Sequence, residues 1–570
     1  MKFNFSLGNR KTAVILIAIA GAASIISFQN FESASSVVKW SKWSNDPTLN
    51  VVADGQTDNT EALNAIAVYA SQNNVKIIGD CPGGQSIVLK SAWIWQSNMN
   101  ISIDPGCTIQ STLDFKGSYA ISQTDLTTPL SNITVDGLQI SSPYKQARRI
   151  MEAYINNFTL THWKVTQSGG IFFLRGSNQE IAYGTVTGTY PDAGNPGIRQ
   201  IGNCLDGYCK HYRDENGDSR LCAQTPCPEV STTGSKPANV YIHDNNLITG
   251  DGCYQACQPL DGTGPGAYWI NVGSTDILYR NNSGHSDTAL MLVGEDATPG
   301  ETSSWSCSNI TFDNVNENSA DFADGKGSQW GVHIASKGPM NTYSNITIEN
   351  STIGNNSGTS GARPVLFVDA IAGGLVSNLK FRNVNIQNVN QVALATFGSV
   401  SNLTFDGGVI AAPNIPGSAV IILSEDTSSS NITNNNIVTK NSDGIQIGTD
   451  DDVTFVDQKN GGGQGPNVPS SNINISNNTI TGIGNGYAGI RMANLNHGYI
   501  FHNTLSSEIR AKSSTGIYFS SDQNAGNTEN SGTTYTTATR NTISTNIPIS
   551  FASGQGNCAT DNAGASNDCD

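Results

Sequence analysis

The sequence predicts an all-β protein built as a solenoid, in which short strands stack coil upon coil. Three strand–turn–strand segments follow one another in the middle of the chain, and related segments recur almost to its end. The composition agrees, because 59 glycines and only 13% charged residues in 570 are typical of many short strands joined by tight turns. A hydrophobic content of 37% is enough to fill a narrow core.

Each central segment has the pattern of a strand, an asparagine-rich turn and a second strand. The segments are 239–256, 276–294 and 309–336. A coil can bury its apolar face only against its neighbours, so we expect the last strands of the three segments to lie side by side, about 4.8 Å apart. Asp251, His285 and His333 would then meet on one patch of surface, which is the predicted functional site.

Two kinds of repeat extend the pattern, at a period of roughly 21 to 40 residues. Ser-Asn-Ile-Thr or a close variant begins at 131, 156, 344, 377, 401, 430 and 471. Strands of the Gly-Ile type begin at 170, 197, 444, 489 and 516. Loops of different length must therefore leave the coils.

Alternation along the strands predicts which side chains face outward. Val332 and Ile334 should point inward and His333 outward. The same outward phase is predicted for Arg199, Gln446 and Arg491. Gln255 would share the face of Asp251 if alternation holds between them.

The N-terminus predicts export. Lys2, Arg10 and Lys11 precede an apolar run over 12–28, as in a signal peptide. An uncleaved anchor is the alternative, although the run is short for a span of about 20 residues. Either way the rest of the chain is expected outside the cytoplasm, secreted or at the cell surface.

The predicted organisation has four parts. They are a signal peptide or anchor at 1–36, a linker at 37–49, the solenoid at 50–555 with a Cys-rich insertion at about 202–237, and a tail at 556–570. Asn59 or Thr60 is expected to cap a helix that runs to about Gln72 and closes the open end of the solenoid. Leu63 and Ile66 belong to its apolar face.

The net charge of −16, with a pI near 4.8 and no basic stripe, disfavours nucleic acid as a partner. It leaves a polysaccharide open, since a glycan can be neutral or bound through a cation. We expect a monomer with no membrane span after the N-terminal segment.

The 11 cysteines of an exported chain should mostly form disulfides. Cys558 with Cys569, and Cys253 with Cys257, are plausible local pairs, and the odd count leaves one thiol unassigned. Disulfides are favoured over zinc for the insertion's four cysteines, which are Cys204, Cys209, Cys222 and Cys227, because zinc sites use tighter gaps.

Two polar patterns have a structural and a functional interpretation. Asp214, Asn216 and Asp218 resemble the start of a calcium loop, but a plain acidic turn is favoured. No cofactor is required, and calcium is the one cation the pattern suggests. The many Asn-x-Ser/Thr triplets fit N-glycosylation, yet asparagines stacked at coil corners in left-handed geometry are favoured.

The run 53–63, Ala-Asp-Gly-Gln-Thr-Asp-Asn-Thr-Glu-Ala-Leu, resembles the opening motif of the pectate-lyase-like superfamily. The segments at Cys81, Ile87, Asn100 and Cys107 are similar to the first coils of that group. The resemblance implies a right-handed parallel β-helix preceded by a capping helix. It does not settle the reaction, since the group includes hydrolases, lyases, epimerases and non-catalytic fibres.

The segment 249–253, Thr-Gly-Asp-Gly-Cys, resembles the Thr-Gly-Asp-Asp-Cys motif of family 28 glycoside hydrolases, the polygalacturonase group. Gly284-His285-Ser286 stands where that family has Gly-His-Gly. Gly331-Val332-His333-Ile334 stands where it has Arg-Ile-Lys, and the segment 195–197, Asn-Pro-Gly, is roughly where it has Asn-Thr-Asp. The resemblance implies that Asp251 is the general acid and that His285 positions it.

The chain differs from this family at acidic positions within the motifs. Gly252 replaces the second Asp of the pair, and the Asp of Asn-Thr-Asp is absent. Hydrolysis of a glycosidic bond normally needs two carboxyl groups. Asp261, Asp287 and Glu295 are the nearby candidates for the missing partner.

Substrate contacts are expected from cationic and aromatic residues close to these coils. His333 and Arg199 would hold substrate together with Gln255, and Arg175 beside Arg199 would also suit a lyase acting on an acidic sugar. The aromatic residues available for sugar stacking are Tyr254, Tyr268, Trp269, Trp305 and Trp330, although packing against the solenoid wall explains them too.

The predicted function is a secreted enzyme that degrades or modifies a polysaccharide, with glycoside hydrolysis first. One alternative is a non-catalytic surface or matrix protein that binds glycans, and the other is a polysaccharide lyase. The loss of the Asp at 252 favours the non-catalytic protein, while the order of the motifs and the aromatic residues favour the enzyme.

Overall fold

The computed structural model describes most of the chain after residue 35. The described residues are 36–125, 128–142, 149–166, 172–186, 198–200, 211–213, 219–221, 238–248, 268–270, 274–285, 289–295, 306–317, 330–337, 342–354, 364–371, 373–387, 392–411, 419–424, 426–448, 469–509, 511–519, 533–551, 556–565 and 568–569.

The structure is a right-handed parallel β-helix, which confirms the predicted fold class. Each coil contributes one strand to each of three parallel ladders, which we call A, B and C in the order in which the chain visits them. Within every ladder the strand of one coil pairs with the strand of the next. The N-terminal strands Ile87–Ile94 and Ile109–Ser122 run through both B and C, and Arg149–Thr161 runs through C and A.

The remaining strands of ladder A are Val37–Lys39, Lys76–Gly79, Asn100–Ile103, Leu130–Asp136, Ser177–Ala182, Ala238–His243, Thr275–Arg280, Ser306–Asp313, Thr342–Glu349, Leu375–Arg382, Val400–Ser401, Thr404–Asp406, Thr427–Ser428, Asn431–Thr433, Ser470–Ser476, Leu495–Phe501, Thr537–Thr539, Cys558–Thr560 and the antiparallel Asp568–Cys569.

Those of ladder B are Gln139–Ser141, Lys164–Val165, Thr185–Val186, Asn246–Ile248, Ser283–His285, Asn316–Glu317, Thr352–Ile353, Asn385–Ile386, Val409–Ile410, Asn436–Val438, Thr479–Ile483, Thr504–Ser507 and Thr542–Ser544. Those of ladder C are Phe172–Arg175, Ile198–Gln200, Tyr268–Ile270, Ala289–Glu295, Trp330–Lys337, Leu366–Ile371, Leu394–Gly398, Ala419–Leu423, Asp443–Ile447, Ala488–Met492, Thr515–Phe519 and Ile547–Phe551. A separate antiparallel pair, His211–Arg213 with Ser219–Leu221, lies in the Cys-rich insertion.

The capping helix spans Thr60–Asn73, as predicted, and short 3₁₀ turns at Trp40–Lys42 and Pro47–Leu49 precede it. The Asp58 carboxylate accepts the Thr60 amide at 3.0 Å, so it satisfies one of the free donors at the helix start. Leu63 and Ile66 are fully buried in the core. The Trp93 indole donates to the Leu63 carbonyl at 3.1 Å, which ties the helix to the first coils.

The turn from ladder A to ladder B has the same form in most coils from Asp244 onward. Its first residue has positive φ, and its second residue is buried. Asn281 with Asn282, and His502 with Asn503, are examples. The buried asparagines bond to one another from coil to coil, because the Asn503 amide donates to Asn541 Oδ1 at 3.0 Å. This ladder replaces the backbone hydrogen bonds that a tight turn gives up.

A second asparagine ladder lies on the surface of ladder A, at the Ser-Asn-Ile-Thr repeats. Asn132, Asn157 and Asn345 all have φ near +55°. The Asn157 amide donates to Asn132 Oδ1 at 3.0 Å, and the Asn345 amide donates to Asn309 at 3.1 Å. Stacked asparagines in left-handed geometry were predicted, and the structure confirms them.

One continuous apolar core fills the solenoid from Trp40 to Ala559. Val37–Lys39, predicted as linker, instead forms a ladder A strand paired with Lys76–Gly79. Cys558–Thr560, predicted as tail, pairs with Thr537–Thr539. The folded unit therefore extends beyond both predicted boundaries, because each end offers an edge strand to its neighbour.

Two disulfides lie among the described residues. Cys558 bonds Cys569, as predicted, and Cys81 bonds Cys107. The cysteines of the insertion, Cys253 and Cys257 lie outside the described residues. Over the described part of the chain, the structure contains no helix with the length and hydropathy needed to cross a membrane.

Candidate functional site

The outer face of ladder C is the wall of the β-helix at which the variable connections meet. Ladder A passes to ladder B through two residues in coil after coil, whereas insertions enter and leave ladder C. The segments 201–237 and 448–469 follow ladder C strands, and 249–267 precedes one. Binding and catalytic residues concentrate where loops are carried by a rigid scaffold. Ladder C is therefore the first face to search.

A single column of outward positions runs along this face. The strand register aligns Arg199 with Trp269, Trp269 with Leu292, and Leu292 with His333. The column continues through Phe367, Ala395, Ile422, Gln446, Arg491 and Tyr518. The prediction that Arg199, His333, Gln446 and Arg491 share one phase is thus confirmed. For Arg199 and Trp269 the structure describes the backbone only.

His333 forms the central group of this column. Its Nε2 lies 4.0 Å from Oδ2 of Asp369 on the next coil, and its ring stacks on Phe367 with centroids 5.0 Å apart. Phe397 meets Phe367 edge to face at 5.6 Å. His333 and Asp369 are each only 6% exposed, although Val332 and Ile334 on either side of His333 point into the core. An imidazole held beside a carboxylate can take part in proton transfer.

Two further charged pairs lie on the same face. Arg175 Nη2 contacts Glu152 Oε1 at 3.2 Å near the N-terminal end, and Glu152 is 3% exposed. Arg491 bonds Asp443 near the C-terminal end and lies over the Tyr518 ring at 5.0 Å. Such buried pairs on an outer wall are costly to desolvate, which is typical of a recess rather than an open surface.

An apolar group separates His333 from the C-terminal pair. Val392, Ala395, Ala419 and Ile422 are completely buried on the outer face and form a cluster of their own with Phe367 and Phe397. This cluster is distinct from the core inside the solenoid. Only Phe367 and Phe397 are partly exposed, so the face offers their rings between two sets of charged groups.

The register corrects one part of the predicted site. His285 ends a ladder B strand and aligns with Ile248, whereas the residue beside His333 in ladder C is Leu292. His285 and His333 are therefore not neighbours across adjacent strands. The error arose because two strands follow the turn of each coil, one in ladder B and one in ladder C, whereas the prediction assumed a single strand.

Gly284 has a structural reason for being glycine. A Cβ built there would approach the Leu247 carbonyl oxygen to 2.5 Å, so no other residue fits without movement of the backbone. The similarity to a Gly-His-Gly motif at this position is thus explained by strand packing as well.

Tyr268 was expected among the aromatic residues available to a sugar, and the structure contradicts this. The side chain is fully buried, and its hydroxyl donates to the Ser283 carbonyl at 2.9 Å. Burial raises the pKa of Tyr268 well above its usual value. Trp330 lies on a ladder C strand, where only its backbone is described.

Many of the predicted site residues lie outside the described residues. They are Asp251, Gln255, Asp261, Asp287, Tyr254 and Trp305, together with the proposed calcium ligands Asp214, Asn216 and Asp218. Their predicted roles remain predictions. Within the described ranges, no group of three or more His, Cys, Asp or Glu side chains is arranged to hold a metal ion.

Sequence reasoning missed three carboxylates on the outer face of ladder C, namely Glu152, Asp369 and Asp443. Only acidic residues close to Asp251 in the sequence were considered. Asp369 could have been found, because in Leu366–Ile371 it stands two residues after the position that aligns with His333. Side chains two residues apart point to the same face of a strand.

A second titratable group lies on the outer face of ladder A. His243 contacts Glu180 through Nε2 at 3.1 Å and Asp244 through Nδ1 at 2.7 Å, and its ring stacks on Tyr241. Both ring nitrogens face carboxylate oxygens, an arrangement that favours the doubly protonated imidazole. Burial works to lower the pKa of His243, but the bonds to Glu180 and Asp244 outweigh it and raise the pKa above its usual value.

Comparison with known proteins yields structural similarity only. No family model and no curated protein matches the chain. The A-module of the mannuronan C-5 epimerase AlgE4 of Azotobacter vinelandii is 12% identical, with 82% of this chain and 98% of that chain covered and a TM-score of 0.39. The tailspike protein of E. coli bacteriophage HK620, solved with a pentasaccharide, is 11% identical over 84% and 78%, with a TM-score of 0.43.

A third similar structure is PfbA, a surface adhesin of Streptococcus pneumoniae, at 11% identity over 91% of this chain and 92% of that chain, with a TM-score of 0.34. These values are too low to support any conclusion about function. The fold rests on the strand register of the chain itself.

Proposed function

We propose that the protein is an exported enzyme that binds an extended polysaccharide along the outer face of ladder C and cleaves it by acid–base chemistry. The observation that carries this proposal is the His333–Asp369 pair, set on the column of outward positions and stacked on Phe367. Aromatic rings contact the apolar faces of sugar rings, and a positioned imidazole transfers protons.

A linear polymer suits the shape of this face. Consecutive coils are about 4.8 Å apart, and the outward column runs from Arg199 to Tyr518 along one line. Several sugar units could therefore contact successive coils. The charged pairs at Glu152 and Asp443 border the aromatic and aliphatic middle of the face.

Hydrolysis of a glycosidic bond is the reaction we favour. It needs one group that protonates the leaving oxygen and another that activates water or attacks the sugar. Asp251 is the proposed acid, on the strength of its motif, with Asp261 and Asp287 as alternatives for the second carboxyl group. We assign His333, held by Asp369, to substrate contact and proton transfer beside it.

A lyase that uses Arg175 against an acidic sugar is disfavoured. The guanidinium of Arg175 is already held by the Glu152 carboxylate, so a sugar carboxylate would compete with a buried negative charge. Non-catalytic glycan binding is the second candidate, because the partly exposed rings of Phe367 and Phe397 can contact a sugar and carry no acid of their own.

The purified full chain is incubated with a panel of neutral and acidic polysaccharides, and new reducing ends and the absorbance of unsaturated products are followed. Hydrolysis predicts reducing ends without that absorbance, and loss of activity in Asp251→Asn and in His333→Gln. The matched control is His497→Gln, which alters an exposed histidine on ladder A.

Each alternative to hydrolysis predicts a different experimental result. Retention of a glycan without turnover, lost in Phe367→Ala, would establish the binding protein instead. Unsaturated products would establish a lyase. Neither binding nor turnover with any polysaccharide would overturn the proposal.

A further inference from the structure

Ladder A carries a group of exposed rings on its C-terminal coils. They are Tyr499, Phe501, His502 and Tyr535, which we call the aromatic patch. Tyr499 is 55% exposed and Tyr535 is 58% exposed. The seven coils before Tyr499 have no ring at the position aligned with it, where they carry Leu278, Thr311, Thr347, Lys380, Thr404, Asn431 and Asn474.

The outward positions around the aromatic patch offer amides and hydroxyls but no charge. They are Asn431, Thr433, Asn474, Thr537 and Thr539. Earlier coils of ladder A differ, because Asp313, Glu349 and Arg382 form one outward column there. The patch thus combines rings with uncharged groups that can form hydrogen bonds.

Two rings of the patch are held in left-handed backbone geometry. Tyr535 has φ +50° and His502 has φ +56°. At the corresponding positions of an earlier coil the chain has Asn472 and Asn477, which tolerate this geometry. A bulky side chain there costs conformational energy, and such outliers cluster at sites with a function.

The Tyr535 ring is fixed on both sides. It stacks on the His497 ring with centroids 5.2 Å apart. On the other side lies Gly556, where a Cβ would approach the Tyr535 ring to 2.9 Å, so the glycine leaves room for the ring. Tyr499, in contrast, has no aromatic partner among the described residues. A ring that is already ordered loses little entropy when a ligand binds.

We propose that the aromatic patch is a second carbohydrate-binding site, on which a neutral polysaccharide docks without being cleaved. Sugar units present apolar ring faces and hydroxyl groups, which suit tyrosine rings flanked by threonine and asparagine. The outward positions around the patch include no carboxylate, so none of them can protonate a glycosidic oxygen.

Charge disfavours the other classes of partner. Nucleic acid and an anionic membrane surface are bound through several Lys or Arg side chains close to the rings. Arg540 borders the patch, but a single cation in a chain of net charge −16 is too little for either. An acidic polysaccharide is disfavoured for the same reason.

This inference does not rest on the proposed function, because ladder A and ladder C are different walls of the solenoid. The purified full chain is mixed with insoluble cellulose, chitin or β-1,3-glucan, and the bound and free protein are measured over a range of concentrations. Tyr499→Ala removes the ring without an aromatic partner. Tyr183→Ala is the matched control, since Tyr183 is 49% exposed and follows a ladder A strand near the N-terminal end.

We expect the native chain and Tyr183→Ala to bind at least one polymer equally well, and Tyr499→Ala to bind it about three- to tenfold more weakly. Tyr535→Asn should also bind more weakly but without loss of thermal stability, because it restores the residue type of the earlier coils. Turnover of soluble polysaccharide at ladder C should be the same in Tyr499→Ala and in the native chain.

Failure of the native chain to bind any of the three polymers would overturn the proposal, as would equal binding by Tyr499→Ala and Tyr183→Ala. Binding that is lost in Phe367→Ala but kept in Tyr499→Ala would also overturn it, since ladder C alone would then hold the polymer. Self-association that is lost in Tyr499→Ala, without polymer binding, would identify the patch as a contact with a second copy instead.

Discussion

Nε2 of His333 lies 4.0 Å from Oδ2 of Asp369, although the two residues belong to different coils. The pair exists because ladder C aligns His333 with Phe367 and places Asp369 two residues further on. The stacking of parallel strands thus brings together two side chains that are far apart in the sequence.

The first prediction concerns this pair. Asp369→Asn keeps the shape of the side chain but removes its charge, so His333 loses the carboxylate that lies 4.0 Å from its Nε2. If His333 transfers a proton during turnover, its replacement by Gln should lower kcat by about a hundredfold or more. Asp369→Asn should cause a smaller loss of kcat, because the imidazole is still present.

The measurement is a pH–rate profile for both variants on the polysaccharide that is turned over. A change confined to KM in both variants would show that the pair only contacts substrate. Unchanged profiles would remove His333 from the reaction.

The second prediction concerns pH and the N-terminal coils. The pKa of His243 is raised in the folded protein, because the Glu180 and Asp244 carboxylates contact its ring while Tyr241 and Tyr183 pack against it. The stabilisation it provides is complete below the unfolded value of 6.5 and is lost as the pH rises through the raised pKa.

The free energy of unfolding of the native chain and of His243→Gln is compared between mildly acidic and alkaline pH. The difference between them should be largest at mildly acidic pH, where His243 is charged. It should shrink on the alkaline side. A difference that stays constant across this range would mean that the imidazole does not titrate with folding.

The third prediction concerns the buried asparagine ladder. Asn503 donates to the Ile475 carbonyl and to Asn541, and its Oδ1 accepts from Asn478. Asn503→Ala leaves several buried polar groups without partners, so we expect a loss of about 3 kcal/mol in the free energy of unfolding. Asn345→Ala, in the exposed ladder, should cost about 1 kcal/mol through its positive φ. Equal losses in chemical denaturation would contradict the role of the buried ladder.

The fourth prediction distinguishes a structural role of Arg175 from a role in substrate binding. Arg175→Leu leaves the Glu152 carboxylate buried and unpaired, which should destabilise the fold by about 3–5 kcal/mol. The double variant Glu152→Leu/Arg175→Leu should recover most of that loss. A fully stable Arg175→Leu chain with weakened glycan binding would instead make Arg175 a substrate contact.

The fold could be predicted from the sequence because the same residue pattern recurs from coil to coil of the solenoid. Six of the seven Ser-Asn-Ile-Thr-like segments place an asparagine in left-handed geometry, and the apolar residue that follows lies in the core, so a pattern seen at Asn132 recurs at Asn345. The capping helix was predicted from Asn59 or Thr60 as a cap and from the spacing of Leu63 and Ile66, and Asn59 is its N-cap residue, although the Asn59 side chain makes no capping hydrogen bond.

The site could be predicted only in part, for a physical reason. Alternation gives the phase of His333 within its own strand, but contacts between coils depend on connection lengths that vary from loop to loop. The prediction paired His333 with His285, whereas register pairs it with Leu292. Asp369 became visible as a partner only once the next strand was aligned.

Hydrogen exchange of the full chain, with and without an oligosaccharide of the polysaccharide it retains, tests the central claim most directly. The account predicts slower exchange in peptides covering Trp330–Lys337 and Leu366–Ile371 of ladder C, with no change in Thr479–Ile483 and Thr504–Ser507 of ladder B. Protection confined to ladder A or ladder B, with ladder C unaffected, would contradict it.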